Sequence, residues 1–215
     1  MSVSDMWKAN AAEVFILIFL NLALFTLGNL PWMVLGLILL AVALFMSFRR
    51  GMDFGHHAYG LLETVKRAED PASPAHGQLD EGVTKRVWGV NLGIKAVLAA
   101  ALPPYAVGCL YIVSSLLNIQ PLILPMRLFA WVIAMPFWPC VLAWTQTFDR
   151  LTGTVAAVLM ISPFILPLSM FAGYMQGPKL WAKSEKTMAE GKRRAKAKSR
   201  VNRRKKAPRV QKPEI

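Results

Sequence analysis

Ten Lys or Arg fall within the fifteen residues Lys192–Lys206, KRRAKAKSRVNRRKK, with no acid and no aromatic among them. Cationic groups at this density neutralise phosphates. The candidate polyanion-binding residues are Lys192, Arg193, Arg194, Lys196, Lys198, Arg200, Arg203, Arg204, Lys205 and Lys206. Near an anionic bilayer each basic residue is worth about 1 kcal/mol within a Debye length. Against RNA phosphates, affinity would fall steeply with salt. The lack of aromatics removes base stacking, and with it sequence-specific reading of single strands. A topology determinant that binds nothing is the plain alternative, because keeping basic residues on the cytoplasmic side is reason enough for them.

Elsewhere the chemistry is sparse. Asp53, His56, His57 and Glu63 form the one cluster with metal-ligand types. On a helix Asp53 and His57 share one face, and His56 and Glu63 another, so only pairs converge where a metal needs three or four ligands. Polar residues on the wet side of a helix are the expectation, with no metal and no cofactor. Arg127 and the Asp149-Arg150 pair are the charges that touch the later apolar runs. Each sits near a run's end, where snorkelling to the interface is the ordinary outcome. No acid is expected in mid-span, which counts against a proton- or sodium-coupled transporter but leaves a passive pore open. No phosphate-cradling loop, nucleophile elbow or kinase signature appears, and the chain is not expected to be an enzyme. Cys109 and Cys140 lie in apolar stretches and read as small buried residues.

The elements that must position these residues follow from hydropathy. The chain has 215 residues, 55% of them hydrophobic and 17% charged, where a soluble domain carries about 25% charged. Five apolar runs stand out: Val14–Leu30, Trp32–Phe48, Ala96–Leu117, Leu122–Trp144 and Leu151–Tyr174. The predicted fold class is all-α, a polytopic α-helical membrane bundle with a disordered or partly helical polybasic C-terminal tail. The first two runs, joined at Gly28-Asn29-Leu30-Pro31, predict a hairpin after a polar lead that ends at Glu13. Asn21 needs a partner in lipid and should face another helix. Arg49-Arg50 ends the second run. Gly51–Asp70 then reads as a separate amphipathic helix, with Glu63 and Arg67 paired four residues apart. Pro71–Gly82 is a polar linker, and helical pattern resumes over Val83–Lys95. Pro103-Pro104, Pro125, Pro136, Pro139, Pro163 and Pro167 interrupt the later runs and free carbonyls that Ser162 and Ser169 could serve in the last. Gly51-x-x-x-Gly55 and Gly89-x-x-x-Gly93 have the spacing of close helix contacts, although both lie outside the central runs. Leu180 and Trp181 are expected to hold the tail's first turn on the bilayer.

Four regions result: 1–48, lead and hairpin; 49–95, amphipathic helix and linker; 96–174, three transmembrane or re-entrant segments; 175–215, the basic tail. The tail carries 15 Lys/Arg against 3 acids, and the other 174 residues are nearly neutral. Five crossings with a cytoplasmic tail would leave 16 Lys/Arg inside against 9 outside, but 7 against 9 when only the tail's first twenty residues count. A re-entrant late segment removes that conflict by putting the 49–95 loop beside the tail. The expected home is a bacterial cell membrane with the C-terminus cytoplasmic. The expected role is to tether a tail that binds anionic lipid, RNA or ribosome, and the alternative is a small transporter or channel built from proline-kinked helices. A bundle followed by a basic tail is similar in outline to membrane insertases of the Oxa type, whose tails contact ribosomes. That likeness covers the tail alone and implies a groove arginine, for which Arg127 is the available residue.

Overall fold

The computed structural model describes residues 3–27, 29–71, 87–139 and 153–206, the side chains of Asn29 and 199–206 excepted. Six α-helices follow in order: α1 Val3–Phe25, α2 Asn29–Glu69, α3 Val90–Leu116, α4 Gln120–Ala134, α5 Gly153–Tyr174 and α6 Gly177–Lys206, with a 3-10 turn over Met135–Phe137 after α4. No strand occurs among the described residues. Five helical stretches are long and apolar enough to cross a membrane, as an integral membrane protein requires. Large apolar side chains such as Phe15, Phe19, Leu30, Phe45, Leu116 and Phe129 are exposed around the outside. In water that would be unstable, but lipid solvates such a surface without cost.

The helices pair by small residues. α2 and α5 run in the same direction and touch backbone to backbone. A Cβ on Gly51 would fall on the carbonyl oxygen of Met170, and one on Gly173 on that of Phe48. Gly55 meets Gly177 one step further along. The Gly51/Gly55 spacing therefore does mark a helix contact, although it lies past the apolar run. α3 runs antiparallel to α5: Gly93 lies on Phe171, Tyr105 stacks edge-on against Phe164 at 5.4 Å, and Gly108 approaches the carbonyl of Leu159. α1 and α2 form the hairpin. Asn21 Nδ2 donates to Leu17 O at 2.9 Å, and the Trp32 indole donates to Asn21 Oδ1 at 3.3 Å, so the mid-run amide does face another helix.

These contacts define two ends. The turn end holds the α1–α2 turn, the α3–α4 turn at Leu117–Ile119 and the start of α5. There Trp32, Tyr111, Val155 and Leu159 share one buried cluster with Ala130, Ala134 and Trp138 of the α4 segment. The terminal end holds the start of α1 and α3 and the close of α5, where Met6, Ala96, Met170 and Tyr174 pack together. α4 starts at the turn end and dips inward until Phe137 meets Leu17, Leu40 and Leu166. The next helix, α5, begins again at the turn end. The segment 120–153 thus enters and leaves at the same end, so the re-entrant arrangement holds. Residues 140–152, with Cys140 and the Asp149-Arg150 pair, lie outside the described residues.

Several expectations are corrected. α1 starts at Val3, so the polar lead is helical and Glu13 lies midway along a buried helix face; an acid does sit inside the bundle. Arg49-Arg50 do not end α2, which continues unbroken for 41 residues, about 62 Å against a hydrocarbon core of about 30 Å. Charges stop a helix from being apolar, not from being helical. The 51–69 half is therefore no separate surface helix but a stalk standing off the bundle, its small-residue face covered by α5 and α6. α3 is continuous through Pro103-Pro104, and helical structure resumes at Val90 rather than Val83. Trp88 is extended, with its N–H donating to Ala58 O at 3.1 Å. Ser169 donates to Leu44 O of α2 at 2.8 Å rather than serving its own helix.

Candidate functional site

The basic segment lies on α6, which is helical through Lys206. Alanine, lysine and arginine all favour helix, and no proline intervenes before Pro208. α6 is docked onto the stalk of α2. The Trp181 ring covers Gly60, where a Cβ would come within 2.7 Å, and lies 5.2 Å from the His56 ring. Trp181 thus holds α6 to α2 rather than to a bilayer. Further out Arg67 reaches Glu185 at 2.5 Å. The Glu63–Arg67 pairing is overturned, because the neighbouring helix supplies Arg67 with an acid and Glu63 takes Lys66 at 3.0 Å instead. That hydrogen bond raises the Lys66 pKa above its ordinary value. Past Glu185 the helix outruns α2, and Lys192, Arg193, Arg194, Lys196 and Lys198 are exposed. Arg200, Arg203, Arg204, Lys205 and Lys206 continue the same helix, with side chains outside the description.

The histidine cluster behaves as a surface. His56 and His57 rings are 5.6 Å apart and Asp53 is exposed. No three His, Cys, Asp or Glu side chains converge among the described residues. Arg127 is exposed on α4 and lines no groove. Cys109 is half-buried, with its sulfur 3.8 Å from that of Met160.

The polar group that sequence reasoning missed is inside the bundle. Glu13, with its side chain 7% exposed, pairs with Arg50 at 2.9 Å and accepts a short hydrogen bond from the Ser47 hydroxyl. Arg50 also donates to Ala9 O at 3.4 Å. The signal was available as spacing: Asn10, Glu13, Leu17 and Asn21 recur at three and four residues on one helix face. It was hidden by counting the helix from the first apolar residue. One turn from Glu13, Asn10 is 5% exposed, and its Oδ1 has no partner. It opens onto a lateral groove of about 350 Å³ between α1 and α3, floored by Ile133 of α4.

The terminal end also closes with an aromatic clamp. Trp88 stacks on Tyr174 at 6.1 Å and meets Tyr59 edge-on at 5.8 Å. The Tyr174 hydroxyl accepts from Gly89 N at 3.2 Å and lies 3.3 Å from Gly89 O. This clamp fixes where the chain re-enters the bundle after the 72–86 stretch, itself outside the described residues. No family model, no curated protein and no solved structure matches this chain, so its function is argued from its own geometry.

Proposed function

We propose that the protein is a membrane-embedded tether that holds its basic helix in the cytoplasm, where the helix binds RNA or the RNA-rich surface of a ribosome. The sidedness follows from charge. The described Lys and Arg of the terminal-end half include Lys8, Arg49, Arg50, Lys66, Arg67, Lys95 and all those of α6, against Arg127 alone on the turn-end half. With the stalk and the tail on one side, the positive-inside vote no longer conflicts.

One distance supports RNA over lipid. Lys192 lies fifteen residues beyond Gly177, about 22 Å along the helix. α6 follows α2, and a membrane-spanning helix tilted by as much as 40° would still leave about 17 Å of height. The Debye length at physiological salt is about 8 Å. A helix standing this far out is poorly placed to coat its own anionic bilayer and well placed to meet a soluble polyanion. The test is co-sedimentation of ribosomes, and binding of a structured RNA, with the full chain in nanodiscs. Replacing all ten residues from Lys192 to Lys206 by Gln is expected to abolish salt-sensitive binding, whatever the anionic lipid content of the disc. Binding that survives the replacement sinks the tether.

A small transporter or channel is the second reading. The buried Glu13 and the α4 segment that ends inside the bundle favour it. Solute flux in liposomes that persists after removal of 192–215 would support it over the tether.

A further inference from the structure

The groove beside Asn10 carries an inference independent of the tail. Its walls are Val14 and Ile18 of α1 and Ala100, Pro104 and Val107 of α3, with Ile133 below. Two smaller cavities, of about 40 and 10 Å³, also open onto Asn10. The site is short of donors. Asn10 Oδ1 is buried without a partner, and Pro104 has no N–H to give the carbonyl of Ala100. A buried acceptor left unpaired is costly, so the site favours a ligand that brings an O–H or N–H into an apolar slot. Volume limits that ligand. At about 30 Å³ per water-sized unit, 350 Å³ holds about a dozen such units, close to one acyl chain. A transmembrane helix about 10 Å across and 30 Å long needs several times as much, as does a two-chain lipid. The mouth is suited to a headgroup. Trp7 lines it, as interfacial tryptophans do. Lys8 is exposed and lies three and seven residues before Ala11 and Phe15, which also line the groove, so it shares their side of the helix.

We propose that this groove binds one lysophospholipid, its single acyl chain along Val14, Ile18, Val107 and Ile133, its free glycerol hydroxyl donating to Asn10 Oδ1, and its phosphate at Lys8. The two-chain parent lipid has no free hydroxyl beside the ester and a second chain with no slot.

The test is equilibrium binding of labelled palmitoyl lysophosphatidylglycerol to the full chain in a lipid-free detergent. One saturable site per chain is expected. Methylating the lipid's free hydroxyl should weaken binding about tenfold, the scale of one lost buried hydrogen bond. Asn10→Leu should do the same, with no further loss when the two are combined. Lys8→Gln should weaken binding severalfold, and Ala11→Phe, which fills the slot, should remove it. If Asn10→Leu fails to fold, the methylated lipid on the unaltered protein still decides. The proposal is overturned if the methylated lipid binds as tightly as its parent, if monopalmitoylglycerol matches the phosphate-bearing lipid, if dipalmitoyl phosphatidylglycerol displaces it at equal concentration, or if Ala11→Phe leaves binding intact.

Discussion

At the turn end, three-residue turns join α1 to α2 and α3 to α4, and the described residues of that half carry one formal charge, Arg127. At the terminal end α2 and α6 run on past the apolar layer, side by side, bearing most of the protein's basic residues. The difference shows two ways of holding helices together. Inside the layer the hydrophobic effect gives no attraction between helices, so contact rests on glycine backbones meeting and on polar links such as Ser169 to Leu44 and Glu13 to Arg50. Outside it, water restores that attraction. Trp181 on Gly60 and the Arg67–Glu185 pair then suffice to dock α6.

The largest effect that would break this contrast is sidedness itself. With Cys109 and Cys140 removed, single cysteines at Ser199 and Ser73 should both be protected from an impermeant thiol reagent in intact cells, and Gln120→Cys should label. Labelling at Ser199 would put the tail outside, and the RNA and ribosome readings would fall with it.

Glycine packing inside the layer comes next. Gly51→Leu or Gly173→Leu should lower stability by about 3 kcal/mol or more, since each new side chain meets backbone that cannot move aside. Gly89→Ala, at a glycine with nothing within 4 Å, should stay within about 0.5 kcal/mol. Thermal melting in detergent reads both, and equal losses would refute the close approach of α2 and α5.

The buried ion pair is third. Arg50→Ala leaves Glu13 charged among apolar neighbours and should cost about 2–4 kcal/mol, less than a fully enclosed pair because Arg50 is 41% exposed. Glu13→Gln combined with Arg50→Met should recover much of that loss, because no lone charge remains buried. A double variant as unstable as Arg50→Ala would show that the pair does something other than neutralise Glu13.

The stalk should respond least. Glu185→Ala removes an exposed pair and should cost under about 1 kcal/mol, less still at high salt. The Glu63–Lys66 contact adds a smaller term. Its raised lysine pKa makes it fully present at neutral pH, and it is lost only as alkaline pH passes that raised value. A large loss for Glu185→Ala would mean that α6 is held by this pair and not by Trp181.

The sequence by itself determined the all-α class, the apolar segments and the charge of the tail. Each is a property of a short window: transfer into lipid is close to additive over residues, and repulsion among ten cations needs no knowledge of their neighbours. It also determined that Asn21 must find a partner, because lipid offers none. Only the tertiary structure decided which residues answer one another across the chain. Glu13 and Arg50 are thirty-seven residues apart and look like the edge of one run and the end of another; they become a pair because the hairpin folds one onto the other. Gly51 and Gly55 looked misplaced until α5 lay against them. The common end of the stalk and the tail follows from α4 turning back, which hydropathy cannot register, since a segment that dips into lipid and one that crosses it are equally apolar.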